Sequence, residues 1–470
     1  MLVMFETDVR ESGLARPRIF SRGFWLSFLI VLVTSPAPLL AENFQVLHEL
    51  EVRWDQDGDH FSPIVTDDSG NLYFAFMAAD NRIIIGRKPP NGRVRTTFIR
   101  PLRADADRYH ATPSIALDAN GFIHVFGPMH NSNMDYLRSN LPYSVSGGFT
   151  RRDASSDGLQ LGVVQSGHRW ITYPYVFYDN EFEPWIAYRA RAGTKGWLPG
   201  TQCAQLARFD SDRRRWDPKG GNSNPDYAPI PGSPRQRAPC FAWSVYSQDG
   251  KNGYQAWNVK PHFDDLGRLH YPVRHVRATG STSWGQDLFY LRSDDGGATW
   301  TTADGEDVPA NPVVISNLDG RSPAWWADGP TGGNTMYGAY ASSSGGRPIV
   351  GYQKRTGDDD VGMTMLAVFD DGEWARTETG ISAFPGRLLV DSNDHWTLVG
   401  GREIHVSTDQ GQSWRTYVSP VPSAGQNANV DIRYFKKTNR VRFVASPTVS
   451  SGSKLVAIVE FVHDDLIPPR

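Results

Sequence analysis

Short runs of apolar residues recur along the chain, separated by tight polar turns. Ser114 to Leu117 is apolar, Asp118-Ala119-Asn120-Gly121 is a turn signal, and apolar and polar positions alternate from Phe122 to Phe126. The pattern predicts a strand hairpin, with the Asn-Gly pair suited to positive φ. A similar unit stands about 50 residues earlier, from His60 to Phe76. There His60 matches His110, Pro63 matches Pro113 and Asp68 matches Asp118, with the glycine of the turn displaced by one residue. Related turn-plus-strand units start at Asp264 and Asp391. Trp170 to Tyr178 and Glu183 to Arg191 read as a further strand pair. Recurrence of such a unit at roughly 40–60 residues points to a propeller or a solenoid.

Two segments narrow the choice. Ser293-Asp294-Asp295-Gly296-Gly297-Ala298-Thr299-Trp300 and Ser407-Thr408-Asp409-Gln410-Gly411-Gln412-Ser413-Trp414 both fit Ser-x-Asp-x-Gly-x-x-Trp. This is the Asp-box pattern of propeller blades, in which Asp and Gly shape a turn and Trp packs under it. Its role is structural and carries no chemistry by itself. The expected fold is all-β, a seven-bladed β-propeller with four-stranded antiparallel blades of about 60 residues each; six or eight blades also fit the length. The Pro- and Gly-rich stretch from Pro218 to Pro234 reads as a long inserted surface loop, and residues 356–360 as a solvated acidic turn. No linker divides the chain after its N-terminal segment.

Composition agrees with this pattern. Gly (45) and Pro (32) are frequent, and aromatics reach 12% with 15 Trp, which serve either to fill packed blades or to stack on sugars. A net charge of −3 leaves no electrostatic footprint for nucleic acid. At the N-terminus, Arg10, Arg16, Arg18 and Arg22 precede a ten-residue apolar run, Phe24 to Val33, and Leu39-Leu40-Ala41 offers a cleavage site before Glu42. About 20 apolar residues are needed to span a bilayer. Residues 1–41 therefore read as a secretory signal peptide and 42–470 as a single propeller domain, exported to the periplasm or secreted. The two cysteines, Cys203 and Cys240, leave three readings open: one disulfide, metal ligands with a histidine such as His262, or two buried thiols.

Two hairpins carry candidate chemistry. His110 precedes the first strand of one hairpin and His130 follows its second, so hairpin closure brings together residues 20 apart in sequence. Histidine titrates near neutral pH and suits proton transfer. Tyr173 enters the next strand pair and Arg189 leaves it, which places a phenol and a guanidinium at one rim.

The set His110, His130-Asn131, Thr172-Tyr173-Pro174 and Tyr188-Arg189, together with the Asp boxes, resembles the ulvan lyases and the related rhamnose–glucuronate lyases with BNR-type repeats. The resemblance is strongest from His60 to Arg191. It implies a seven-bladed propeller with a substrate canyon on one face. It also implies catalytic roles for His110, Tyr173, Arg189 and His130. Asn131 and Tyr188 beside them, and Arg274-His275 further on, are candidate substrate-binding residues. The implied reaction is β-elimination on a rhamnose–uronate polymer such as ulvan. An exo-acting lyase on plant-gum side chains, a non-catalytic sugar-binding propeller and a sialidase-like hydrolase are the competing readings. The hydrolase lacks an Arg-Ile-Pro entry in the mature chain. No cofactor is required for the chemistry; a structural calcium or zinc is the one metal considered. The expected partner is an acidic polysaccharide met by a monomer, with no nucleic acid and no stable membrane insertion.

Overall fold

The structure is a computed structural model. It describes residues 43–53, 61–102, 112–129, 132–154, 156–159, 170–191, 202–219, 229–230, 233–237, 242–243, 253–256, 259–279, 282–308, 313–314, 335–355, 362–382, 386–421, 428–446 and 453–463. Seven antiparallel blades follow one another around a ring. Blade 1 runs Ile64–Thr66, Leu72–Met77, Ile83–Lys88 and Arg95–Ile99, from inner to outer strand. Blade 2 runs Ser114–Leu117, Ile123–Phe126, Tyr136–Ser139 and Phe149–Arg152, and blade 3 Trp170–Tyr178, Pro184–Arg191, Gln202–Asp210 and Arg215–Pro218. Blade 4 is built on His262–Phe263, Leu269–Thr279, Thr282–Ser293 and Trp300–Thr301, and blade 5 on Thr335–Ser344, Arg347–Arg355, Met363–Asp370 and Glu373–Glu378. Blade 6 comprises Arg387–Val390, Trp396–Val399, Glu403–Ser407 and Arg415–Val418.

Blade 7 closes the ring. Its inner three strands, Asn429–Val430, Val441–Ala445 and Ser453–Phe461, come from the end of the chain, and the outer strand is Phe44–Arg53. The closing register runs from Phe44 opposite Phe461 to Arg53 opposite Ser453. Burial falls from the axis outward. In blade 1 the inner two strands are wholly buried, the third is buried over its first four residues, and the outer strand is half-buried to exposed. Inner strands are covered on both faces by neighbouring blades, which explains why they read as continuous apolar runs.

One turn recurs between inner and second strands. Asp67, Asp118, Asp179, Asp264 and Asp391 each accept backbone N–H bonds through Oδ1 from residues two or four positions on. The residue three positions on is left-handed: Gly70, Gly121, Phe182, Gly267 and Asp394. A short carboxylate supplies the turn's acceptors locally, and glycine takes the positive φ without a Cβ clash. The turn aspartate of blade 1 is thus Asp67, one residue before the position that the sequence pairs with Asp118. The inner strand of blade 2 is one residue longer than that of blade 1, which displaces the register.

The second oxygen of this aspartate is also used. It meets Tyr73 in blade 1 (3.0 Å), His124 in blade 2 (3.1 Å), Trp185 in blade 3 (3.0 Å) and His270 in blade 4 (3.1 Å), always six residues further on. Nδ1 of His124 lies 2.7 Å from Tyr136 Oη, and Nδ1 of His270 2.5 Å from Tyr290 Oη. These two buried histidines are framework groups, each with both ring nitrogens engaged. Both Asp boxes form as expected. Gly297 and Gly411 donate to Ser293 and Ser407 Oγ (2.7 Å each), and Asp295 and Asp409 accept from the backbone of Thr299 and Ser413. Trp300 is buried and Trp414 half-buried. Within the Pro218–Pro234 stretch and just beyond it, Pro229–Ile230 pairs with Ser233–Arg237 as a short hairpin. Residues 1–41 and 356–360 lie outside the described residues.

Blade 7 replaces the tight turn with a helix, Ile432–Thr438. Asp431 caps it, accepting from Tyr434 N, and Asn439 ends it in the left-handed region. The helix reaches across the ring. Arg433 donates to Thr66 O (2.6 Å) and pairs with Asp68, while Lys436 donates to Asn180 Oδ1 (2.7 Å) and Phe263 O (3.1 Å). Lys437 Nζ sits 4.1 Å from the Phe182 ring centroid. Blades 1, 3, 4 and 7 are thereby tied together at the rim that carries the Asp turns.

Burial raises the Asp431 pKa to about 6, against opposing bonds from Thr66 Oγ1 and the Tyr434 backbone and the nearby Arg442 and Arg433 charges. Folded protein therefore holds this proton more tightly than an unfolded aspartate near 3.8. The stability linked to it is complete below the unfolded value and is lost as pH rises through about 6. Asp431→Asn keeps a capping acceptor and removes the titration. Its stability relative to the parent is expected to improve by ~1–3 kcal/mol between about pH 4 and 7. Melting curves across that range check this; a difference independent of pH would contradict it.

Candidate active site

Inner strands start, and second strands end, at the rim opposite the Asp turns. Tyr173 lies near the start of the inner strand of blade 3 and Arg189 near the end of its second strand. The backbone there is irregular. Thr172 pairs with Arg189 and Tyr175 with Ala187, so Tyr173 and Pro174 together oppose Tyr188 alone. Such a bulge bends the strand and re-aims a side chain, and Pro174, without an N–H, is tolerated at a bulge. The consequence is visible in the packing. Before the bulge Ile171 joins the apolar layer shared with blade 2; after it, Val176 and Tyr178 do, while Tyr175 and Phe177 join the layer shared with blade 4. The strand's facing parity has switched, and Tyr173 sits at the switch.

Tyr173 has φ +59°. A bulky residue in the left-handed region is strained by about 1–2 kcal/mol, and such strain persists where the surroundings over-determine it. Those surroundings are explicit. Ser114 Oγ donates to Pro174 O (2.5 Å) and accepts from Ser62 N (2.9 Å). Ser62 Oγ donates to Val176 O (2.9 Å) and accepts from Val176 N (3.1 Å). Ile171 N donates to Ser132 O (2.9 Å). Blades 1 and 2, and the loop leaving the second strand of blade 2, therefore hold the bulge from three sides.

Arg189 completes the arrangement. Its Nη2 donates to Thr172 Oγ1 (3.1 Å), and its Cζ lies 4.8 Å from the Tyr173 ring centroid. The Phe61 ring stands on another side, 6.4 Å from that of Tyr173. Tyr173 is 6% exposed and Arg189 7%, so a guanidinium is held against a phenol with little water around either. A partly desolvated, preoriented cation stabilises negative charge developing on a bound group.

The structure thus brings together Tyr173 and Arg189. Tyr188, between them in the pairing, is buried in the apolar layer of blades 2 and 3. His110, His130 and Asn131 lie outside the described residues. Ser114, four positions after His110, and Ser132, next after Asn131, are two of the groups that tie down the Tyr173 strand. Arg274 and His275 lie on the second strand of blade 4, opposite Leu288 and Asp287. Arg274 stands ten residues after the turn aspartate Asp264, as Arg189 stands ten after Asp179, so the two arginines share a register in adjacent blades. Ser62, Ser114, Thr172 and Phe61 support the site and carry no chemical signal of their own in the sequence, although Phe61-Ser62-Pro63 and Thr112-Pro113-Ser114 sit in the repeated segments. Cys203 lies on the third strand of blade 3 opposite Ala190 and Trp243, and Cys240 lies outside the described residues. Among the described residues no group of three or more His, Cys, Asp or Glu side chains is gathered to hold a metal ion, and no helix is long and apolar enough to cross a membrane.

No curated protein matches the sequence. Among solved structures, the chain is similar to a polysaccharide lyase described as a PL25 ulvan lyase bound to -[GlcA(1-4)Rha3S]-, at 11% identity and a TM-score of 0.61, covering 90% of this chain and 98% of that one. It is also similar to polysaccharide lyase Uly1, at 13% identity and a TM-score of 0.57, covering 89% and 99%. At these identities the likeness establishes the shared propeller. Residues 71–381 match the model of the BNR repeat-containing family, most of the ring from the second strand of blade 1 to the end of blade 5, and the chain belongs to that family.

Proposed function

We propose that this protein is an exported polysaccharide lyase that cleaves a rhamnose–uronate polymer such as ulvan by β-elimination, leaving 4,5-unsaturated uronate ends. The observation that carries the reading is the strained bulge at Tyr173 with the Arg189 guanidinium against its ring. The shared fold with two polysaccharide lyases supports it. Residues 1–41 would direct export as a signal peptide, leaving 42–470 as the working chain.

In the reaction the C5–H and C4–O4 bonds break, a C4=C5 double bond forms and O4 leaves with a proton. The C5 proton is weakly acidic while the neighbouring carboxylate is ionised. Arg189 binds that carboxylate, and its fork geometry suits two parallel hydrogen bonds. Neutralising the carboxylate stabilises the enolate-like transition state. Tyr173, reacting as the phenolate beside the Arg189 cation, accepts the C5 proton and as the phenol returns it to O4, since both lie on one face of glucuronate. In iduronate they lie on opposite faces, and His110 serves as the partner base. His130 and Asn131 bind and orient the sugar. Arg274, with His275 beside it, offers a second anion contact, for a sulfate or the next uronate, and Tyr188 anchors the strand opposite the bulge.

Product mass separates the competing activities. Digestion of ulvan should yield oligosaccharides one water lighter than hydrolysis products. Products of full hydrolytic mass would indicate a glycosidase, and intact polymer a binding module.

A further inference from the structure

From Asn81 to Leu102 the chain carries Arg82, Arg87, Lys88, Arg93, Arg95 and Arg100 and no Asp or Glu, although its net charge is −3. Arg87, Lys88, Arg93 and Arg95 fall around the hairpin that joins the third and fourth strands of blade 1. Arg87 stands directly opposite Arg95, a pairing of like charges that destabilises a sheet. The hairpin lies at the rim of the Asp turns, where a Cβ on Gly70 would meet Pro90 at 3.2 Å.

The basic surface continues onto blades 2 and 3. Arg87 Cζ lies 5.9 Å from the Tyr73 ring centroid, and Tyr73 Oη lies 3.5 Å from Tyr143 O, in the hairpin between the outer strands of blade 2. Tyr143 has φ +56° and donates from its N to Gly121 O (2.6 Å). Its ring covers Gly121, where a Cβ would meet it at 2.3 Å, yet the residue is 43% exposed. Next in the chain, Phe122 is flanked by Arg138 and by Arg214 of the outer hairpin of blade 3, with Cζ atoms 5.5 and 5.9 Å from its centroid.

Other arginines of blades 2 and 3 have carboxylate partners: Arg151 meets Asp135 (2.7 Å), Arg152 meets Asp157 (2.7 Å) and Arg208 meets Asp179 (2.8 Å). Among the described residues no carboxylate pairs with Arg87, Arg93, Arg95, Arg138 or Arg214, and Arg87 Nε is buried with no hydrogen-bond partner. The acids of the blade 1 turn are engaged elsewhere. Asp67 accepts from Asn71 and Tyr73, and Asp68 pairs with Arg433 and Lys437.

Cations of one sign held side by side draw anions to the surface, and the guanidinium fork suits sulfate and carboxylate oxygens. Charges spread over three blades match a chain of anions better than a single ion. Tyr143, braced on Gly121 and half open to solvent, gives a sugar ring an apolar surface beside them.

We infer that the Asp-turn rim of blades 1 to 3 binds a stretch of acidic polysaccharide through Arg87, Arg93, Arg95, Arg138, Arg214 and Tyr143. The choice of a polysaccharide over other polyanions rests on the proposed function. This rim is opposite the one that carries Tyr173 and Arg189, so the contact tethers the protein to its polymer without covering the cleavage site.

The test runs the mature chain carrying Tyr173→Phe, which spares the polymer, on native gels containing ulvan, with neutral dextran as control. Retardation is expected in ulvan alone, and it should shrink as salt screens the charges. The triple variant Arg93→Gln, Arg95→Gln, Arg214→Gln changes only exposed side chains. Its apparent Kd should be about tenfold weaker. Contacts at the cleavage site are common to both proteins, so the difference belongs to this rim. Without polymer the triple variant should melt no lower than the parent, since a cross-strand repulsion has been removed. Unchanged retardation, or weakened retardation from a variant that melts well below the parent, would overturn the proposal. Binding to duplex DNA or to phosphatidylglycerol vesicles as tight as to ulvan would overturn its polysaccharide assignment. Should the parent leave ulvan uncleaved, the proposed function fails, while retardation still decides the role of this rim.

Discussion

Tyr173→Phe is expected to lower kcat/KM on ulvan by ~10²–10⁴-fold, the range for loss of a general acid–base group. The variant isolates the hydroxyl. Its ring still stacks against Arg189 and faces Phe61, and the backbone at φ +59° still carries a phenyl group. The melting temperature should therefore stay close to that of the parent, and the drop should fall mainly on kcat. A Tyr173→Phe protein with full activity would remove Tyr173 from the proton-transfer step while leaving the bulge as a packing feature.

The second large effect is expected at Arg189. Arg189→Lys keeps a positive charge but replaces the planar fork by a point charge, which is not a conservative change at a bidentate site. A loss of about 10²-fold in kcat/KM is expected, the scale seen when one preorganised stabiliser of transition-state charge is removed. Arg189→Ala should lose more, and it also strips Thr172 of the bond from Nη2. Free guanidinium added to the alanine variant should restore part of the rate if the cation acts on substrate. Rescue of melting temperature without rescue of rate would instead mark Arg189 as a structural cation beside Tyr173.

Much of the fold is legible in the amino-acid sequence, because propeller turns advertise themselves locally. The Asp boxes at Ser293 and Ser407 and the turns at Asp118, Asp264 and Asp391 all use side chains within a few residues of each other. The turn at Asp179 is harder to see because Phe182 takes the left-handed position that glycine holds in blades 1, 2 and 4. That exchange has a use: the Phe182 ring receives Arg433 and Lys437 of the helix that spans the ring. The helix itself has little sequence signal, since seven residues make no periodic stripe and its anchor points lie hundreds of residues away.

The site divides in the same way. Tyr173 and Arg189 are identifiable from a strand pair and their positions at its open end. The bulge is not, because a change of facing parity depends on which neighbours cover each side of the strand. Pro174 inside an otherwise regular strand is its one local sign. The serines that hold the bulge, Ser62 and Ser114, act between blades, and Arg387 meets Lys260 across a sequence separation of 127. Contacts of that range are set by ring closure, which leaves no mark on local sequence. In the same way His124 and His270 resemble catalytic candidates by residue type, and only their Asp and Tyr partners reveal them as framework.

β-Elimination by Tyr173 and Arg189, as proposed, leaves a product with its own chromophore. The most direct measurement incubates the mature protein, from Glu42, with ulvan and follows ultraviolet absorbance of the conjugated unsaturated uronate. A steady rise is expected with the parent protein, strongly reduced in Tyr173→Phe and Arg189→Lys. A flat trace from well-folded parent protein on ulvan, gum arabic and glucuronan would contradict it.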